Sequence, residues 1–91
     1  MLERNVRVAD PAGLHARPAA TLVKAAAAYT SAIRIRHRDR EANAKSIVEV
    51  LTLDVAQGAE VTIVVDGPDA EDALERISSL VADGRVAPLS G

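Results

Sequence analysis

Gly13-Leu14-His15-Ala16-Arg17-Pro18-Ala19-Ala20-Thr21-Leu22-Val23-Lys24-Ala25-Ala26-Ala27-Ala28-Tyr29 runs from a turn straight into a helix. Gly13 permits a backbone turn that other residues resist. Pro18 suits a first helical turn, where a missing N–H costs little. Ala19, Leu22, Val23, Ala26 and Ala27 fall at helical spacing, so a helix is expected from about Ala16 to Tyr29. Alanine favours the helix and lets it lie close against a sheet. His15 and Arg17 stand at its start, where unpaired N–H groups and a partial positive charge point outward. A lone histidine there is commonly just a surface side chain. Imidazole, guanidinium and free N–H groups together suit a phosphoryl group, either resident or carried on the histidine.

Working outward, Arg4 to Val8 alternates polar and apolar residues, the mark of a strand. Asp10 to Gly13 is turn chemistry. A second strand is expected over Ala32–His37, then a reversal at Arg38-Asp39-Arg40 and a short strand to Asn43. Ser46-Ile47-Val48-Glu49 reads as a capping box opening a short helix, about Ile47 to Leu53. Ala56 to Ala59 is a loop, and Val61, Ile63 and Val65 alternate in a last strand that Gly67-Pro68 ends. Asp69 can cap a final helix with the apolar stripe Ala70, Ala73, Leu74, Ile77, Leu80 and Val81. The order βαββαβα implies an α+β fold, with three helices on one face of a four-stranded antiparallel sheet and water on the other. Residues 1–91 read as one domain, with 85–91 a loose tail.

Composition narrows the function. The chain is 48% hydrophobic with one tyrosine as its sole aromatic residue, so the core must be built from Ala, Val, Leu and Ile. It has no cysteine, and neither a metal cluster nor a cofactor is expected. The net charge of −2 argues against general affinity for nucleic acid. Arg34, Arg36 and Arg38 share one face of an extended strand, and with His37 and Arg40 form a basic stretch. A solvated sheet face explains it better than a nucleic-acid patch, since no aromatics interleave to stack bases. No apolar run approaches the roughly 20 residues of a membrane span, and no signal-peptide pattern is visible. A soluble, cytoplasmic protein is expected.

The string Gly13 to Ala20, Lys45-Ser46-Ile47 further on, Gly58 to Ile63 and Asp72-Ala73-Leu74 form a joint pattern. From about Val6 to Val81 the chain resembles the histidine-containing phosphocarrier family HPr of the phosphoenolpyruvate:sugar phosphotransferase system. The resemblance implies an open-faced β-sandwich. It implies that His15 takes a phosphoryl group on Nδ1 from phosphorylated Enzyme I and passes it to a histidine of an EIIA domain. Arg17 would stabilise the phosphate, and the N–H groups of Ala16 and Arg17 would help. The helix terminus and Arg17 would set positive charge beside the ring, which attracts the oxygens of an arriving phosphoryl group. The chain would be a carrier with a transient phosphohistidine, not an enzyme, and a monomer.

Ser46 has two readings. It is a helix N-cap, and in many family members the matching serine is phosphorylated by an HPr kinase/phosphorylase. Glu49 stands where glycine is common, and its carboxylate would oppose a phosphate on Ser46. Asp54 also stands where the family often has glycine; aspartate tolerates the left-handed region better than most residues. With Val50 and Leu53 facing the core, Ile47, Val48 and Leu51 are left at least partly exposed. The resemblance makes them a docking surface, with Arg17 and Lys24 as positive rim charges. Two other readings compete: a paralogous carrier in a nitrogen-related or regulatory relay without sugar transport, and a module that regulates partners by docking alone. The pairing of His15 with Arg17 argues against the second.

Overall fold

The computed structural model describes residues 1–83. The elements run β1 (Leu2–Arg7), α1 (Ala16–Ala26), β2 (Ala32–His37), β3 (Arg40–Asn43), α2 (Ile47–Leu53), β4 (Glu60–Asp66) and α3 (Ala70–Asp83). The order βαββαβα is the expected one. The strands form one antiparallel sheet in the order β1-β4-β2-β3. The expected tail at 85–91 lies outside the described residues.

Strand register sorts the side chains by face. Val6 stands opposite Val61, Leu2 and Ile33 opposite Val65, and Ile35 between Ile63 and Ala42. That face meets the helices. Ile33, Ile35, Ile63, Val61 and Val65 are fully buried there. Each such aliphatic side chain stabilises the fold by about 1.5–3 kcal/mol relative to exposure. From α1 the buried residues are Ala19, Leu22 and Ala26, with Val23 only half-buried. The stripe of α3 is buried in full: Ala70, Ala73, Leu74, Ile77, Leu80 and Val81. α2 packs on α1 and β3.

The opposite face is polar and charge-paired. Arg34 lies 3.3 Å from Glu41, and Arg36 lies 3.6 Å from both Glu3 and Glu41. Thr62 donates to Asn5 at 2.7 Å. The solvated-face reading of Arg34 and Arg36 therefore holds. Arg38 is a correction. β2 ends at His37, and Arg38 sits in the two-residue reversal with φ +60. Arg40 turns to the helix side and donates to the Thr52 carbonyl at 3.1 Å, placing a cation at the end of α2. The basic stretch is thus dispersed over three environments and makes no single patch.

Other boundaries shift for local reasons. β1 begins two residues earlier than expected, because Leu2 and Glu3 find partners in Val65 and Val64. α1 stops at Ala26 instead of Tyr29. Beyond it Ala28 and Tyr29 donate to carbonyls only three residues back, at 3.2 Å each, which tightens the last turn. Lys45 then donates through Nζ to the Tyr29 carbonyl at 2.6 Å.

Asp69 corrects the expected cap. Its carboxylate turns to the α1–β2 loop, accepting the N–H groups of Thr30 and Ser31 at 2.9 Å each and the Ser31 hydroxyl. Gly67, at φ +151, allows the close approach, since a Cβ there would overlap Ser31. The Ser31 hydroxyl and then the Thr30 amide hold the Asp69 carboxyl down from 3.8 to about 2. The unfolded chain therefore binds the extra proton first as pH falls through this range. The stabilisation is complete above about pH 4 and is lost on descent through about 2. We expect Asp69→Asn to lower the melting temperature at pH 7 and to flatten its decline between pH 4 and 2. Parallel melting curves for the two proteins across that window would show that the carboxylate does not hold the loop.

Candidate functional site

Two loops meet at the N-terminal end of α1. Gly13 donates to the Asp10 carbonyl at 2.8 Å, and Leu14 donates to the Val55 carbonyl at 2.9 Å. Gly13 adopts φ +66 directly against that carbonyl, and a Cβ would overlap the Val55 oxygen. Leu14 and Val55 are both buried, so the junction is anchored from each side. Further along, Gly58 donates to Val8 at 2.8 Å, and Val8 donates to Ala59 at 2.9 Å. The β1–α1 segment is thereby laced to the α2–β4 segment.

His15 follows this junction as the N-cap of α1, with extended backbone (φ −118, ψ 161) and no side-chain cap bond. Its ring is 40% exposed, half-sheltered yet open to a visiting molecule. Ala16, the first residue of α1, takes φ +50, a conformation that costs a non-glycine residue about 1–2 kcal/mol. The helix offers the N–H groups of Ala16 and Arg17 no internal acceptor. Arg17 is exposed, and its first turn holds no acidic residue. Arg17 also lines a cavity of about 270 Å³ together with Gly13, Leu14, Pro18 and Leu22. His15, Ala16 and Arg17 stand in succession at the start of α1, and His15 is not among the residues that line this cavity.

The other candidate residues lie along α2 and at the far end of α1. α2 runs antiparallel to α1: Lys45 before α2 meets Tyr29 after α1, and Asp54 after α2 meets His15 before α1. Ile47, Val48 and Leu51 are exposed, and Val50 and Leu53 are buried. Lys24 is exposed in the last turn of α1, away from His15 and toward the start of α2. Ser46 is the N-cap of α2 and accepts the Glu49 N–H at 3.3 Å. It lies at the opposite end of α2 from His15, a span of about 10 Å for a helix of this length. The expected reciprocal half of the capping box is a correction. Glu49 accepts the Asn43 N–H at 2.8 Å, and Ser46 donates its own N–H to the Asn43 carbonyl at 3.0 Å.

One contact was not foreseen. Asp54 caps α2 in the left-handed conformation (φ 56, ψ 56), as the turn requires, and its Oδ1 lies 3.1 Å from His15 Nε2. Aspartate at a position suited to glycine was the available signal. No group of three His, Cys, Asp or Glu residues placed to hold a metal occurs among the described residues. No helix of the described residues is long and apolar enough to cross a membrane.

The family model described as "PTS HPr component phosphorylation site" matches residues 2–83. The chain belongs to the HPr family. The phosphocarrier protein HPr of Lysinibacillus sphaericus is 40% identical over 83 residues, covering 91% of this chain and 94% of that protein. The HPr crystal structure from Bacillus anthracis superposes with a TM-score of 0.86 at 38% identity, covering 88% of this chain and 95% of that one. The Bacillus subtilis catabolite repression protein Crh, described as a swapped dimer, matches with a TM-score of 0.75 at 36% identity, over 96% and 100% of the two chains. A chain of this family is a phosphocarrier component of the phosphotransferase system.

The junction makes a direct test of how the site is held. Gly13→Ala should destabilise the protein by more than about 1 kcal/mol in urea unfolding, because both the positive φ and the missing Cβ are needed. A stability equal to that of the parent would mean that the two loops do not meet as described.

Proposed function

We propose that this chain carries the phosphoryl group on His15 Nδ1, accepting it from phosphorylated Enzyme I and delivering it to EIIA domains in sugar uptake. The observation that supports this most is the exposed imidazole at the start of α1 with Arg17 two residues on. Phosphoryl transfer asks for positioning and charge stabilisation more than covalent help from the protein. The Nδ1 lone pair forms the new N–P bond while the donor's P–N bond breaks and returns its electron pair to the donor. Arg17 and the N–H groups of Ala16 and Arg17 receive the phosphoryl oxygens. On delivery the same bond breaks toward the acceptor histidine. No part of this needs a cofactor. Ile47, Val48 and Leu51 give partners an apolar surface, with Arg17 and Lys24 as positive rim charges. The carrier works in the cytoplasm as one domain and as a monomer.

Incubation with Enzyme I and labelled phosphoenolpyruvate should give an acid-labile adduct that His15→Ala abolishes. Full labelling of the alanine variant would place the nucleophile elsewhere. Arg17→Lys should fold normally and lose part of the transfer rate, because an ammonium cannot copy the bidentate geometry of guanidinium. Arg17→Glu should lose far more through repulsion of the incoming group. Surface changes of this kind shift stability by only about 0.5 kcal/mol. A large fall in melting temperature with an unchanged transfer rate would make Arg17 structural.

Ser46 is the proposed acceptor for an HPr kinase/phosphorylase, with Glu49 opposing the product. The Glu49 carboxylate also holds the Asn43 N–H, so its charge must be separated from its hydrogen bond. Glu49→Gln keeps an acceptor oxygen and removes the charge. Kinase should therefore act faster on Glu49→Gln than on the parent. Equal rates would remove the electrostatic barrier.

A further inference from the structure

We propose that Asp54 is a positioning residue for His15, holding the imidazole through Nε2 so that Nδ1 presents its lone pair to the phosphoryl donor. The proposal rests on His15 being the phosphoryl carrier. Its geometry stands on the 3.1 Å approach of Asp54 Oδ1 to His15 Nε2. Both residues adjoin the Leu14–Val55 backbone hydrogen bond, one on each strand of the junction. Their main chains are therefore fixed relative to each other. Only the few torsions of two short side chains remain free. Asp54 is further held by its own N–H, which donates to the Leu51 carbonyl at 3.1 Å.

The chemistry follows from the two ring nitrogens. A neutral imidazole carries one proton, and the partner of one nitrogen decides which nitrogen keeps it. A carboxylate can only accept, so Asp54 places the proton on Nε2 and leaves Nδ1 as the acceptor of phosphorus. When Nδ1 forms the N–P bond, its lone pair is committed and the ring becomes cationic, with Nε2–H retained. Asp54 faces that charge from the side of the ring away from the phosphoryl group. When the group leaves, the electron pair stays on Nδ1 and the ring returns to neutrality. No proton is exchanged with solvent in either step. The charged features around the ring divide the work. Arg17 and the α1 N-terminus serve the phosphoryl oxygens, and Asp54 serves the ring. A carboxylate that orients a histidine from its far nitrogen acts by the same logic in other nucleophilic sites.

Asp54 is 80% exposed, so solvent screens the pair and the effect is modest. Asp54→Asn removes the charge at constant shape, and Asp54→Gly removes the side chain where a left-handed backbone suits glycine. Both variants should fold with unchanged or higher melting temperature. Both should lower kcat for phosphorylation by Enzyme I by about two- to fivefold with KM unchanged, the scale expected for an exposed pair. In nitrogen-15 spectra of the unphosphorylated protein, at a pH where the imidazole is neutral, both should lower the fraction of ring protonated on Nε2. An unchanged kcat, a change confined to KM, or an unchanged ring spectrum would each overturn the proposal. A KM effect alone would mean that Asp54 meets the partner instead of the ring. The spectra require no phosphoryl transfer, and retained labelling of His15→Ala would separately defeat the carrier reading on which the proposal rests.

Discussion

The site depends on one backbone hydrogen bond, from Leu14 to the carbonyl of Val55. It joins the segment that enters α1 to the segment that leaves α2. Gly13 makes it possible by leaving room for the carbonyl, and the burial of Leu14 and Val55 shields it from water. An amide bond of this kind contributes only about 1 kcal/mol net, but leaving its buried groups unpaired would cost more. Its importance is geometric. His15 and Asp54 inherit their places from it, and so does the start of α1.

The helical layer then needs little further adjustment. α1 presents Ala19, Ala26 and Leu22 to the core and packs against α2 and α3. Such an interface has few alternative rotamers to settle among, because alanine has none. The ends of the antiparallel pair α1 and α2 are tied by different chemistry. An ammonium on a carbonyl joins them at one end, and a carboxylate beside an imidazole at the other. The exposed apolar side chains of α2 sit between these polar ties, on a helix that cannot slide along its neighbour without breaking one of them.

Much of this was legible in the sequence, for reasons that can be named. β2 and α2 begin and end where the alternation of Ala32–His37 and the cap at Ser46 say they should. The α3 stripe is buried residue for residue. Period and capping are local signals, and they survive folding because the core rewards them. The choices of polar side chains were not legible. Asp69, Glu49 and Asp54 each stand near a helix end, where a local partner was the natural expectation. Asp69 instead takes Thr30 and Ser31, Glu49 takes Asn43, and Asp54 takes His15. Each partner lies outside the helix concerned and is brought near by tertiary contact. A short carboxylate has several acceptable donors, and only the folded chain decides which is nearest.

The open face of the sheet has a consequence for diffusion. Glu3, Arg34, Arg36 and Glu41 interlock so that their charges cancel over a short distance. Seen from beyond a Debye length, such a cluster exerts almost no field. The exposed aliphatic residues Ile47, Val48 and Leu51 and the cations Arg17 and Lys24 all lie on the other, helical side. Much of the orientational penalty in protein association comes from collisions on the wrong side. A face made mute in this way gives such collisions no charge to hold them.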